Sequence, residues 1–307
     1  MPAAGTAEII AAARAEGRGV GAFNLIGLEH AEAIVSGAEA AGLPVVLQIS
    51  ENCVKYHGAL EPIALAALAI ASAAAVPVAV HLDHATGADL VRAAAAAGVG
   101  SVMFDASALD HAANVAATAE LAAWCHRRGI WVEAELGEIG GKNGVHAAGV
   151  RTRPDDAAAY VTATGVDALA VAVGSSHAML TRDAVLDFDL IRQIRARVPV
   201  AVPLVLHGSS GVPDASLGKA IMAGMTKINI ATQLNKVFTA AVRDRLAADE
   251  RLVDPRRYGA AGRDAVAAEV TRLLGVLQCW PGGTTPPDPP QCWPGGTTPR
   301  NPPQVAG

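Results

Sequence analysis

Residues 63–98 read IALAALAIASAAAVPVAVHLDHATGADLVRAAAAAG, and they hold the fold in miniature. The alanine- and leucine-rich run up to Ala75 favours helix. Pro77 cannot continue that helix, so it splits residues 63–80 into a helix and a strand. Val78 to Val80 continue as a buried strand that runs directly into His81, Asp83 and His84. A second alanine-rich helix is predicted over 88–98, stopped by Gly98 in the usual position after a helix end. Strand alternating with helix at this spacing requires a parallel sheet, because only a crossover connection returns the chain to the same edge.

The same phrase recurs on either side. Apolar runs at 19–25, 44–50, 76–84, 101–107, 131–137, 168–174, 203–210 and 226–232 give eight candidate strands. Helical stretches at 28–42, 112–129 and 213–224 lie between them. Eight βα units fit an α/β fold of the (β/α)8 TIM-barrel type, whose typical length is about 250 residues. An open doubly wound sheet shares the alternation, and the count of eight favours the barrel. The expected organisation is a single barrel domain over 1–277, closed by a helical segment at 264–277. After it, residues 278–307 form a Pro/Gly-rich tail in which QCWPGGTTP occurs twice, at 278–286 and 291–299. That tail has no helical or strand period and reads as disordered.

Bulk properties exclude several classes. A net charge of −5 without a basic run argues against a nucleic-acid partner. None of Cys53, Cys125, Cys279 and Cys292 forms a C-x-x-C pair, which argues against a thiolate metal site or redox motif. Glu8, Arg14, Glu16 and Arg18 interrupt the N-terminal segment, which reads as an amphipathic helix and not as a signal peptide. Pro77 breaks the most apolar stretch, so no membrane span is expected, and a cytoplasmic location is.

In a barrel of this kind the chemistry collects at the C-terminal ends of the strands. Those ends carry His81, Asp83 and His84, then Asp105 and Ser107, then Glu133 and Glu135, then His177, then His207-Gly208-Ser209-Ser210, then Asn229 and Thr232. Three imidazoles converging from different strands suit Zn2+, which favours nitrogen ligands and keeps an open position in catalytic sites. Strand alternation puts His81 and Asp83 on one face and His84 on the other, and so leaves open which histidine of that strand is a ligand. The glycine-rich turn 208–211 and the segment 229–232 follow the seventh and eighth runs, where phosphate is commonly bound through backbone N–H groups. A long Gly-rich loop, 137–151, follows the fifth run and has the length of a lid.

These phrases, AFN (22–24), HLDH (81–84), FDAS (104–107), EAELGEIGG (133–141), AVAVGSSH (170–177), LVLHGSSG (204–211) and KINIAT (227–232), resemble the class II, zinc-dependent ketose-bisphosphate aldolases. The match runs in family order over roughly residues 20–275. The resemblance implies His84, His177 and His207 as zinc ligands, with Asp105 and Glu135 able to hold the metal in an alternative position. It implies Asp83 as the acid/base at the C4 hydroxyl, and His81 as support behind the metal. Gly208, Ser209 and Ser210 with Asn229, Ile230, Ala231 and Thr232 would hold the dihydroxyacetone phosphate half of a sugar bisphosphate. Asn24, Ser50 and Ala178 would line the substrate pocket, and Arg256 in 254-DPRRY-258 would reach the other phosphate, in some members across a subunit contact.

The implied reaction is reversible cleavage of fructose 1,6-bisphosphate, with tagatose 1,6-bisphosphate as the nearest alternative. Under it, Lys142, Lys219, Lys227 and Lys236 are not needed as Schiff-base nucleophiles. The implied assembly is a homodimer or homotetramer. Two departures stand out: Ala178 replaces the family's usual glycine, and Lys142 and Asn143 replace acidic lid residues, leaving Glu138 or His146 as substitutes. A zinc hydrolase on the same barrel, or a metal-binding barrel without catalysis, are the rival classes.

Overall fold

The computed structural model describes residues 4–136 and 151–278. Most of the expected lid and nearly all of the expected tail, with Glu138, Lys142, Asn143, His146, Cys279 and Cys292, lie outside the described residues. All eight strands form: β1 (Val20–Asn24), β2 (Val45–Ser50), β3 (Val78–Ala85), β4 (Ser101–Phe104), β5 (Trp131–Glu135), β6 (Ala168–Ala170), β7 (Leu204–Leu206) and β8 (Met225–Ile230). They pair in parallel in sequence order, and β8 returns to β1, so the sheet is a closed barrel. Helices follow the strands around the outside, as a (β/α)8 barrel demands.

Alternation along the strands separates two layers. Phe23, Leu47, Val80, Leu82, Val102, Leu169, Leu206, Ile228 and Ile230 belong to the continuous apolar layer under the outer helices. The intervening residues point inward. Near the strand starts these are Val20, Ala22, Val46 and Ala79, packed on Ile9, Ile10 and Ala13 of the helix Thr6–Ala15. That N-terminal helix therefore plugs the lower mouth with its apolar face, while Glu8 and Glu16 stay exposed. Thr6 in its first turn shares a 2.6 Å hydrogen bond with Ser101.

Two local departures from simple pattern matter for function. On β3, His81 pairs with Ser101 and Leu82 with Val102, but the next pair is Ala85 with Phe104. One extra residue is therefore accommodated on β3, a bulge of the kind that re-aims side chains at barrel rims. His84 sits in it with φ 53°, in the left-handed region. The second departure is the last helix, Pro255–Val276, which begins nine residues before the helical segment expected from sequence. Pro255 is suited to the first helical position, and the Asp254 carboxylate accepts the Arg256 N–H at 3.0 Å as a cap. Gly262 within this helix allows a close approach: a Cβ there would meet the Phe238 ring at 2.6 Å.

Candidate active site

The upper mouth of the barrel opens into a cavity of about 370 Å3. Asn24, Ser50, Asp83, His84, Asp105 and His177 line it, with Ala178, His207, Gly208, Ser210, Asn229, Ala231 and Thr232. Seven of the eight strands, or the turns directly after them, thus deliver chemistry to one place. Without the β3 bulge His84 would follow Leu82 to the outer layer; with it, Asp83 and His84 both face the cavity.

The three imidazoles stand nearly perpendicular to one another. Ring centroids are 5.0 Å apart for His84–His177, 4.7 Å for His84–His207 and 5.5 Å for His177–His207. One nitrogen of each lies within 4.8 Å of the others. His207 Nδ1 and His84 Nε2 approach to 2.9 Å, and the far nitrogen of each ring is held by a carboxylate. His207 Nε2 is 2.8 Å from Glu133 Oε1, and His84 Nδ1 is 2.8 Å from Asp105 Oδ2. Carboxylates behind histidines fix tautomer and orientation in metal sites, so the donor set fits a borderline-soft divalent cation. In a second group, which shares His84 with the first, ligand atoms of His84, Asp105 and Glu135 also lie within 4.8 Å of one another.

Asp83 is buried, and its Oδ2 accepts a 2.8 Å hydrogen bond from Asn24 Nδ2. Gln48 Nε2 in turn donates to Asn24 Oδ1 at 3.0 Å, which fixes the amide's orientation. Asp83 Oδ1 has no hydrogen-bond partner among the described residues, although it is out of contact with solvent. Burial raises the Asp83 pKa, but the charges of His84, His207, Lys227 and His81 outweigh that and hold it below the usual carboxylate range.

Below the cavity floor lies a buried charged layer. Lys227 Nζ donates to Glu133 Oε2 at 2.8 Å and to Asn229 Oδ1 at 3.0 Å, with the lysine and glutamate wholly inaccessible. Burial would raise Glu133, yet the Lys227 charge and the His207 hydrogen bond carry it down to about 2. His81 faces this layer, not the cavity: its Nδ1 is 3.0 Å from Ser101 Oγ and its Nε2 3.9 Å from Glu133. Burial, reinforced by Lys227, pushes His81 down to about 3, so its ring is neutral. His207 is lowered as well, again by burial first.

The phosphate-type turn is built around Gly208, whose φ is 66°. A Cβ there would lie 2.5 Å from the Ser176 carbonyl oxygen, so only glycine fits. Ser210 Oγ accepts the N–H groups of Ala231 and Gln233, both at 3.1 Å, and so ties this turn to the start of the helix Thr232–Ala247. That helix presents its positive end to the cavity, where anions are favoured.

Three of the residues that the resemblance implies for substrate binding do not line the cavity. The Ser209 hydroxyl turns back to donate to the Leu206 carbonyl at 2.9 Å. Ile230 has the outward parity of β8 and joins the layer under the helices. Arg256 is 89% exposed and paired with Asp254 at 2.9 Å. Conversely, Ile26, Glu51, Asn52, Lys55, Thr86 and Asn235 line the cavity without having been singled out. Glu51 accepts the Thr86 N–H at 2.7 Å and pairs with Lys55 at 2.8 Å. The sequence signal for this pair was a charged i,i+4 couple directly after a strand end, which ordinarily marks a solvated helix face.

A closed parallel barrel whose upper mouth gathers three imidazoles, two acids and a helix N-terminus defines a metal-assisted (β/α)8 enzyme acting on an anionic substrate. The model of the family described as fructose-bisphosphate aldolase class-II matches residues 4–280. A fructose-bisphosphate aldolase of Geobacillus stearothermophilus is 38% identical over 255 residues, covering 82% of this chain and 88% of the relative. A fructose-bisphosphate aldolase of Thermus caldophilus is 39% identical over 285 residues, covering 84% and 92%. The crystal structure of the YdjI aldolase of Escherichia coli K12 superposes with a TM-score of 0.80 at 31% identity, covering 90% of this chain and 97% of that one. The chain belongs to the class-II fructose-bisphosphate aldolase family, and it is an aldolase, a carbon–carbon lyase.

Proposed function

We propose that the chain catalyses Zn2+-dependent, reversible cleavage of fructose 1,6-bisphosphate to dihydroxyacetone phosphate and glyceraldehyde 3-phosphate. The observation that carries this reading is the pairing of a buried, half-satisfied carboxylate with a three-imidazole cluster across one cavity. His84, His177 and His207 would hold the metal, and the group of His84, Asp105 and Glu135 offers a second seat. Bound there, Zn2+ supplies Lewis-acid stabilisation of the negative oxygen that develops on the ketone half.

In the cleavage direction Asp83 Oδ1 takes the proton of the C4 hydroxyl. The freed oxygen lone pair forms the aldehyde carbonyl, the C3–C4 bond breaks, its electrons remain with the dihydroxyacetone phosphate half, and a proton taken up at C3 from solvent completes that product. Asn24 keeps the working oxygen free by occupying the other one. The backbone around Gly208 and the helix start at Ala231 and Thr232 would hold that half's phosphate, with Ser50 and Ala178 on the cavity wall. Arg256, solvent-exposed on its own chain, would reach the second phosphate in the cavity of a neighbouring copy, in a homodimer or homotetramer. Lys227 is already committed to Glu133, which leaves it unsuited to Schiff-base chemistry.

Among the described residues no single helix is long and apolar enough to cross a membrane, and Cys53 and Cys125 are free, buried thiols. A cytoplasmic place in glycolysis completes the proposal. Cleavage of the fructose and tagatose bisphosphates, with and without chelator, tests the reading. Activity on the fructose epimer that vanishes with chelator supports it. Chelator-resistant turnover with borohydride trapping on a lysine overturns it.

A further inference from the structure

Four groups, His207, Glu133, Lys227 and Asn229, meet at the cavity floor in a hydrogen-bond geometry that is over-determined at one atom. His207 Nε2 lies 2.8 Å from Glu133 Oε1 and 3.1 Å from Asn229 Nδ2. One ring nitrogen cannot donate to the carboxylate and accept from the amide at once. A charged acceptor makes the stronger bond, so Nε2 carries the proton and donates to Glu133. The Asn229 amide could escape the resulting donor–donor approach by flipping, but Lys227 prevents it. An ammonium has three donors and no acceptor, so it commits Asn229 Oδ1 as well as Glu133 Oε2 to itself. The Asn229 NH2 is thereby kept on the side of His207 and of the cavity that Asn229 lines.

We propose that Lys227 is a positioning residue for the reaction. By claiming one oxygen of Glu133 and the oxygen of Asn229, it fixes the His207 tautomer whose Nδ1 faces His84, and it aims the Asn229 donor at the substrate. This rests on the metal reading above only for its consequence; the tautomer itself is a property of the metal-free chain.

The test uses Glu133→Gln, alone and combined with Lys227→Met, in the full-length chain. In Glu133→Gln the ammonium must take the new amide's oxygen, which turns the amide NH2 toward His207 Nε2. The ring can answer only by moving its proton to Nδ1. We expect 15N shifts of labelled histidine to show Nε2–H at His207 in the metal-free wild type and Nδ1–H in Glu133→Gln. Co2+ affinity, read from the visible band, should fall about 10- to 100-fold, the usual cost of losing a group behind a ligand. Adding Lys227→Met frees the amide to turn, so the double variant should regain Nε2–H and bind Co2+ more tightly than the single one.

Two results overturn the proposal: Nε2–H retained in Glu133→Gln, or a double variant that regains melting temperature without regaining tautomer or affinity. The latter would make Lys227 a countercharge only. Should the wild type take up no Co2+, the metal reading fails, while the histidine shifts still decide the proposal.

Discussion

Ala178 carries the most specific residue-level consequence. It lines the cavity directly after His177 with φ 58°, in the left-handed region that costs a residue with a Cβ about 1–2 kcal/mol. Ala178→Gly relieves that strain and gives part of it back through the freer unfolded chain. The melting temperature of Ala178→Gly should therefore hold or rise by a few degrees, whereas Ala178→Val should lose stability, with a denaturant midpoint well below wild type. The same glycine widens the cavity by a methyl, so a shift in the ratio of turnover on the two bisphosphate epimers is the functional measure.

At Asp83, Asn is nearly isosteric and can keep the Asn24 contact through its oxygen. Asp83→Asn should retain its metal, by elemental analysis, and its fold, while kcat falls about 10²- to 10⁴-fold, the range of a lost acid/base. Normal turnover in that variant would remove Asp83 from the chemistry.

Among the elements, the link between the seventh and eighth βα connections is the most exposed to test. Ser210 caps the helix Thr232–Ala247 by accepting two of its otherwise unpaired N–H groups. Ser210→Ala should cost about 1 kcal/mol in urea unfolding, the typical worth of such a cap, and raise KM more than it lowers kcat. The elements were also what the sequence disclosed best. Eight apolar runs became eight strands because alternation and punctuating helices leave a parallel sheet few other arrangements.

The places that could not be read are those where one residue departs from its element's period. His84 faces the cavity through a bulge that no pattern announces. Ser209 turns its hydroxyl into its own turn, and Ile230 follows parity outward although it sits inside the matching phrase. Glu51 and Lys55 look like an ordinary solvated pair until the short helix after β2 is seen to border the cavity.

For the molecule as a whole, the buried charged layer sets the response to acid. Glu133 is held at about 2 and His81 at about 3, and Asp83 and His207 are lowered too. In each case the unfolded chain binds the proton more readily than the folded one, so stability is full above the unfolded pKa and is lost as pH falls. The histidine contributions begin to fade below about pH 6.5, the carboxylate ones below about 4.5, continuing toward the folded values. Urea midpoints measured from pH 8 to pH 4 should therefore decline steadily with proton uptake on unfolding; a flat profile would mean that the layer is already protonated when folded.

The bulge in β3 has a genetic side. Below it the ladder with β4 is regular, and above it Ala85 already pairs with Phe104. Loss of the single codon for residue 84 would remove the extra residue and the left-handed backbone together, leaving an unbroken strand. The gene thus stands one in-frame deletion away from a barrel with a continuous β3–β4 ladder that can no longer assemble its three-imidazole cluster. Selection for folding alone would not preserve this site.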